Sequence, residues 1–169
     1  MQPEILSPNL MVRRLQLGDA AQIYALASQN TQFYQYHPPF VTRQSILDDM
    51  DALPPGKTRE DKFYVGFFDG TTLVAVLDLI AAYPDKTTAY IGFFMVDKSR
   101  QGQGLGSCLV GDIEAAMRKE GARHIRLAVD KGNPQSYAFW TKNGYTVCGP
   151  EKPNEFSAYI PLQKDLTAL

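Results

Sequence analysis

Between positions 90 and 120 the chain runs from an apolar stretch, Tyr90-Ile91-Gly92-Phe93-Phe94-Met95-Val96, into Arg100-Gln101-Gly102-Gln103-Gly104-Leu105-Gly106-Ser107 and then a helical pattern. A strand, a glycine turn and a helix joined this closely restrict the fold more than any other part of the chain. Glycine at 102, 104 and 106 strips the turn of side chains and admits backbone conformations closed to other residues. The helix that follows leaves its first N–H groups without intrahelical partners, and its aligned dipoles make that end partly positive. Bare backbone at such an end suits an anion, and a phosphate in particular.

The elements around the turn follow from periodicity. Leu105, Leu109, Val110, Ile113, Ala116 and Met117 recur at helical spacing, and Gly121 is a stop signal. His124 to Val129 reads as the next strand. A strand, helix and strand of this size form a crossover, which predicts that strands 89–96 and 124–129 run parallel. Upstream, strands 62–68, 73–81 and 89–96 are joined by Asp69-Gly70 and by Tyr83-Pro84-Asp85-Lys86, and predict an antiparallel meander. A first strand covers 10–15, and Gly18-Asp19 opens a helix to about residue 29. Thr42 caps a second helix that ends before Pro54-Pro55. Asn30 to Val41, aromatic and containing Pro38 and Pro39, reads as a loop. Asn133-Pro134 opens a last helix closed by Gly144, and Val147-Cys148 with 156–160 predicts a final antiparallel pair. The expected fold is α/β (an α+β mixed sheet), an antiparallel meander joined to a parallel strand pair, with helices on both faces of a single domain, 1–169.

Bulk properties narrow the function. A length of 169 residues is enough for one domain with a sizeable core. A net charge of −1 supplies no general attraction to nucleic acid or to an acidic membrane, and neither is expected as a partner. Cys108 and Cys148 form no CxxC pair, and His37 and His124 lie far apart, so no metal site is expected. Cys108 falls on a predicted helix and reads as a small core residue. Reduced thiols, no basic-then-apolar leader and no apolar run of membrane-spanning length lead to the expectation of a cytoplasmic protein.

Three phosphate-binding patterns compete for the turn. A P-loop needs a Lys after the last glycine, and none follows here. A dinucleotide fingerprint needs GxGxxG after a parallel strand; Gly102-x-Gly104-x-Gly106 has another spacing, and only Asp130 after the next strand favours it. The third pattern fits. Gln101-x-x-Gly104-x-Gly106, preceded by Val96-Asp97, resembles the pyrophosphate signature of the GNAT superfamily of acyl-CoA N-acyltransferases. The segment from Asn133 to Tyr145 resembles that family's second motif, an Asn opening a helix that ends in an aromatic pair, Lys and Gly-aromatic. The specific similarity covers about 88–146, and the element order matches over about 10–161.

The resemblance implies roles for particular residues. Gln101, Gly102, Gln103, Gly104, Leu105, Gly106 and Ser107 would hold the pyrophosphate of acetyl-CoA, which enters as co-substrate. Phe94, Met95 and Val96 would pair their backbone with the pantetheine arm as an added strand, and an N–H there would polarise the thioester carbonyl. Asn133, Ser136 and Tyr137 would contact the cofactor, Asn133 also being a good helix cap. Trp140 departs from the family, many of whose members carry Tyr at this place as a proton donor to the leaving thiolate. Indole is not an acid at neutral pH, so Trp140 is expected to pack on the cofactor arm or the core.

Transfer to an amine also needs a base. Asp78 interrupts the apolar strand 74–80, where desolvation would raise its pKa; His37, in the aromatic stretch, is the alternative. Tyr34, Tyr36 and Tyr83, with His37, are expected to line the acceptor pocket. The function expected is transfer of acetyl from acetyl-CoA to a primary amine of a small molecule or peptide, by direct attack in a ternary complex. A catalytically silent acyl-CoA-binding or sensor module is the alternative, which Trp140 makes credible, and a nucleotide-binding module is the third. A homodimer is left open.

Overall fold

Apolar residues alternate between two faces along the central strands, and each face is covered by its own helices. The computed structural model describes residues 1–167. These residues form one mixed sheet from β1 (Met11–Arg14), β2 (Lys62–Asp69), β3 (Thr72–Ile80), β4 (Thr88–Val96), β5 (His124–Asp130), β6 (Thr146–Val147), β7 (Lys152–Pro153) and β8 (Ala158–Asp165). The order is β1-β2-β3-β4-β5-β8-β6, with β7 paired to β8 off that path. β2, β3 and β4 form the antiparallel meander, β1 pairs antiparallel with β2, and β4 pairs with β5 in parallel. The meander and the parallel pair are both as the periodicity predicts. The helices are α1 (Ala20–Ala27), α2 (Thr31–Tyr36), α3 (Arg43–Asp51), α4 (Leu105–Lys119) and α5 (Pro134–Lys142). Among the described residues no helix is long and apolar enough to cross a membrane.

On one face Val65, Phe67, Leu77 and Leu79 pack against Leu109, Val110, Ile113 and Met117 of α4 and Trp140 of α5. Burial of that α4 stripe contributes roughly 1.5–3 kcal/mol for each large side chain. On the other face Tyr64, Phe68, Val76 and Met95 meet Ile23 and Leu26 of α1 and Ile46 of α3. Thr42 caps α3 as its position predicts, its hydroxyl accepting from Ser45 N at 3.0 Å.

Three local expectations are corrected. Residues 31–36, within the stretch read as a loop, form the helix α2. The prolines at 38 and 39 disfavour helix only from His37 onward, and His37 has φ −121° and ψ 62°. Cys108 is exposed, not a core residue, because the inward stripe of α4 runs through Leu105 and Leu109 and leaves 108 on the outer face. The closing strands also differ. β8 runs on to Asp165 and lies between β5 and β6. Its polar end is satisfied by pairing, Lys164 Nζ lying 2.6 Å from Glu114 of α4.

Candidate active site

The centre of the molecule is a gap between two strands. The β4–β5 ladder covers only Thr88–Ile91 against His124–Leu127, yet β4 continues to Val96 and β5 to Asp130. A bulge starts the divergence: Asp78 of β3 opposes Phe93 but Leu79 opposes Ile91, so Gly92 is the additional residue in β4. Gly92 leaves room there for Asp78: a Cβ would lie 2.9 Å from Oδ2 and the carboxylate would have to shift. Beyond the bulge, β4 turns toward the gap a main-chain edge that β5 does not pair.

The glycine turn closes one end of this gap. Gly102 and Gly104 have φ of 74° and 85°, a region costly to any residue with a Cβ. Gly106 is closely packed instead: a Cβ there would come within 3.1 Å of the Phe139 ring, which would have to give by a few tenths of an ångström. The cap bond of α4 runs from Cys108 N to Gly104 O at 3.0 Å, which leaves the N–H groups of Leu105, Gly106 and Ser107 at the open helix end. Gln101 anchors the turn from inside, its Nε2 donating to Asn30 Oδ1 at 2.6 Å and to Val96 O at 2.9 Å.

A cavity of about 260 Å³ lies against this turn. Of the residues expected to bind the cofactor, it brings together Phe94, Met95, Val96, Gln101, Gly102, Gly104, Gly106, Ser107, Ser136 and Trp140. Asn30, Phe33, Gln135, Phe139 and Lys142 complete the wall, and Lys142 is its one cationic side chain among the described residues. Gln103, Leu105 and Asn133 lie off the wall. Gln103 Nε2 donates to Ser99 O, Leu105 packs on the main core, and buried Asn133 caps α5 by accepting from Ser136 N at 3.1 Å. Tyr137 is exposed and also off the wall.

A second cavity, about 320 Å³, shares Phe33, Phe94, Ser136 and Trp140 with the first. Trp140 is buried in an aromatic cluster of tilted and edge-on rings, with ring centroids 5.1 Å from Phe139, 5.9 Å from Phe94 and 5.0 Å from Tyr145. The second cavity holds both candidate bases, together with Asp49, Asp130, Tyr90 and Tyr159. His37 Nδ1 lies 3.0 and 3.2 Å from the two oxygens of buried Asp130. That hydrogen bond raises the His37 pKa above its ordinary 6.5, against the opposing effect of burial. Asp78 Oδ2 accepts from Lys62 Nζ at 2.9 Å, whereas its Oδ1 is buried without a hydrogen-bond partner. Burial raises the Asp78 pKa, Lys62 opposes the shift, and Asp49 adds to it. Burial likewise raises Asp49, although its residue surface remains exposed at the rim.

Tyr34, Tyr36 and Tyr83 line neither cavity. Tyr34 packs between Phe33 and Phe40, with its hydroxyl pushed up to about 12 by burial. Tyr36 lies against Gly132, and Tyr83 packs edge-on against Tyr90 at 5.7 Å. The wall residues that sequence reasoning missed include Asn30, Gln135, Phe139 and Lys142 in the first cavity and Asp49, Tyr90, Phe93 and Tyr159 in the second, with Phe33 in both. Asp130 drew notice only as a mark of the dinucleotide pattern. Its place at the carboxyl end of a strand with a parallel partner was the available signal, since ligand crevices form there.

Comparison with known proteins agrees with the fold. The model of the acetyltransferase (GNAT) family matches residues 21–145. No curated protein sequence matches the chain. Among solved structures, an acetyltransferase from Thermus thermophilus shares the fold with a TM-score of 0.73 and 18% identity, over 92% of this chain and 96% of that one. The ribosomal-protein-S18-alanine N-acetyltransferase from Escherichia coli gives a TM-score of 0.67 at 15% identity, over 93% and 94% of the two chains. The PaiA N-acetyltransferase from Thermoplasma acidophilum, solved in complex with coenzyme A, gives 0.66 at 18% identity, over 93% and 99%.

Proposed function

Because the chain belongs to the acetyltransferase (GNAT) family, we propose that it transfers the acetyl group of acetyl-CoA to a primary amine by direct attack in a ternary complex. The observation that carries this reading is the meeting of two cavities at Phe94 and Trp140, one walled by the glycine turn and the other holding an imidazole and three carboxylates. Acetyl-CoA supplies a thioester. The open N–H groups at the start of α4 offer sites to its pyrophosphate, and Lys142 adds a positive charge on the same wall. The unpaired edge of β4 offers main-chain groups to the pantetheine arm, and an N–H of that segment serves as oxyanion donor.

The acceptor enters the second cavity as an ammonium ion and has to lose a proton before it can attack. In this reading His37 takes it. Asp130 engages Nδ1, which orients the ring and leaves Nε2 for the amine. The new N–C bond forms as the C–S bond breaks, and the second amine proton leaves with coenzyme A as its thiol. Asp78 is the second candidate for the base, favoured by its raised pKa and its partnerless Oδ1, but its other oxygen is held by Lys62. Trp140 supplies no proton; its ring packs where the two cavities join.

Trp140 also favours a second reading, a silent acyl-CoA-binding module. Thiol release from acetyl-CoA, followed across a panel of primary amines, separates the two. Amine-dependent release with formation of the acetylamide supports transfer. Tight coenzyme A binding without release across the panel supports the silent module.

A further inference from the structure

Resting on that transfer reading, we propose that the acceptor is a small linear diamine, with a second ammonium group beyond the one that is acetylated. Asp49, Asp78 and Asp130 face the second cavity from α3, β3 and β5, and its wall carries no Lys or Arg among the described residues. Lys62 balances Asp78 from β2, and His37 meets Asp130. Asp49 makes no hydrogen bond or ion pair among the described residues. His37 must be neutral to act as base, and the cavity then holds two carboxylate charges in excess, on Asp49 and Asp130.

Uncompensated charge in a partly desolvated site is costly until a cation enters. On the same wall Asp78 keeps Oδ2 on Lys62 and has Oδ1 buried without a hydrogen-bond partner, so the polar groups here do not close off among themselves. Between the carboxylates the wall is aromatic, from Phe33, Phe93, Tyr90 and Tyr159. Ring faces accept both methylene groups and ammonium ions. A diamine therefore matches both the charge and the rings of the cavity. One ammonium loses its proton to His37 and attacks, the chain lies on the rings, and the second ammonium stays charged beside Asp49. An amino acid would bring a carboxylate into this negative field. At about 320 Å³ the space is at the small end of ligand sites, which suits a compact molecule.

The test compares kcat/KM for diaminobutane, n-pentylamine, aminobutanoate and a short peptide with a free N-terminus. The proposal expects diaminobutane to lead n-pentylamine by about tenfold, the equivalent of one ion pair of about 1.4 kcal/mol. Aminobutanoate should fall below both. Asp49→Asn should bring the diamine-to-monoamine ratio close to one, and Asp49→Glu should keep the preference, with melting curves confirming that both variants fold. A lead for the peptide or for aminobutanoate, or a ratio indifferent to Asp49→Asn, overturns the diamine proposal alone. If coenzyme A binds and none of the amines is acetylated, the transfer reading falls and takes the proposal with it.

Discussion

The two cavities that meet at Phe94 are built in opposite ways. The first takes just over half of its wall from one continuous stretch, the end of β4 and the glycine turn up to Ser107, and is closed by α5 with Asn30 and Phe33. The second is mostly side chains, drawn from α2, α3, β3, β4, β5, α5 and β8. A backbone site needs only glycines at set places and a strand edge left open. A side-chain site needs distant residues to arrive together, and those not shared with the first can change without disturbing it. The difference suits a chain whose cofactor is constant and whose acceptor is its own.

The comparison breaks most directly at His37. His37→Ala should lower kcat by about 10²–10⁴-fold, the range of general-base catalysis, without weakening coenzyme A binding. Asp78→Asn, measured beside it, decides between the two candidates. A larger loss of kcat there than in His37→Ala would transfer the base role to Asp78.

The backbone side has its own probe. Gly104→Val places a β-branched residue at φ 85°, at a cost of roughly 1–2 kcal/mol. Coenzyme A affinity measured by calorimetry should fall about 5–30-fold, and kcat/KM should fall by the same factor for every amine. Full affinity in this variant would mean that the turn is not the binding element.

A change in pH sharpens the other side. Asp130 favours the charged imidazole, so the His37 pKa lies above 6.5 in the folded chain. A base works only when neutral, and kcat should therefore rise with pH through a value above 6.5. Asp49 and Asp130 are the carboxylates acting on His37. Asp130→Asn removes the larger effect, so the rise should move to lower pH while Asp49 remains. The same linkage appears in stability. The stabilisation from the His37–Asp130 pair is complete below the unfolded pKa of His37 and is lost as pH rises through the folded one. The melting difference between the wild type and Asp130→Asn should accordingly shrink across that window.

Legibility followed the same division. The meander, the crossover and the glycine turn could be read from the sequence because each rests on local spacing: period-two strands, a helical stripe, and glycines at a strand-to-helix junction. Asp78 could be singled out because a carboxylate inside an apolar strand is unusual. Its partner Lys62 could not, being sixteen positions away on another strand. Asp49 and Tyr159 gave no local signal, since a polar residue on a short helix and a tyrosine in a strand are ordinary. Only the fold brings them to one cavity. The tyrosines expected there, Tyr34, Tyr36 and Tyr83, were picked for composition and loop position, and neither property says which way a ring points.

Gln101 tests how far the first cavity is backbone alone. Its side chain is spent inside the protein, on Asn30 Oδ1 and Val96 O, tying the turn both to the α1–α2 corner and to β4. Each such bond contributes about 0.5–1.5 kcal/mol net, so Gln101→Ala should lower the melting temperature by a few degrees, at roughly 2–4 °C per kcal/mol for a chain of this size. Coenzyme A affinity should fall less than in Gly104→Val, because the turn loosens while its N–H groups remain. Gln101→Glu should be worse than Gln101→Ala for binding: a carboxylate cannot donate to Val96 O, and it adds a negative charge on the wall assigned to the pyrophosphate. If Gln101→Ala instead weakened coenzyme A as much as Gly104→Val and left melting unchanged, the side chain itself would be the ligand contact, and the contrast between a backbone-built and a side-chain-built cavity would no longer hold at this residue.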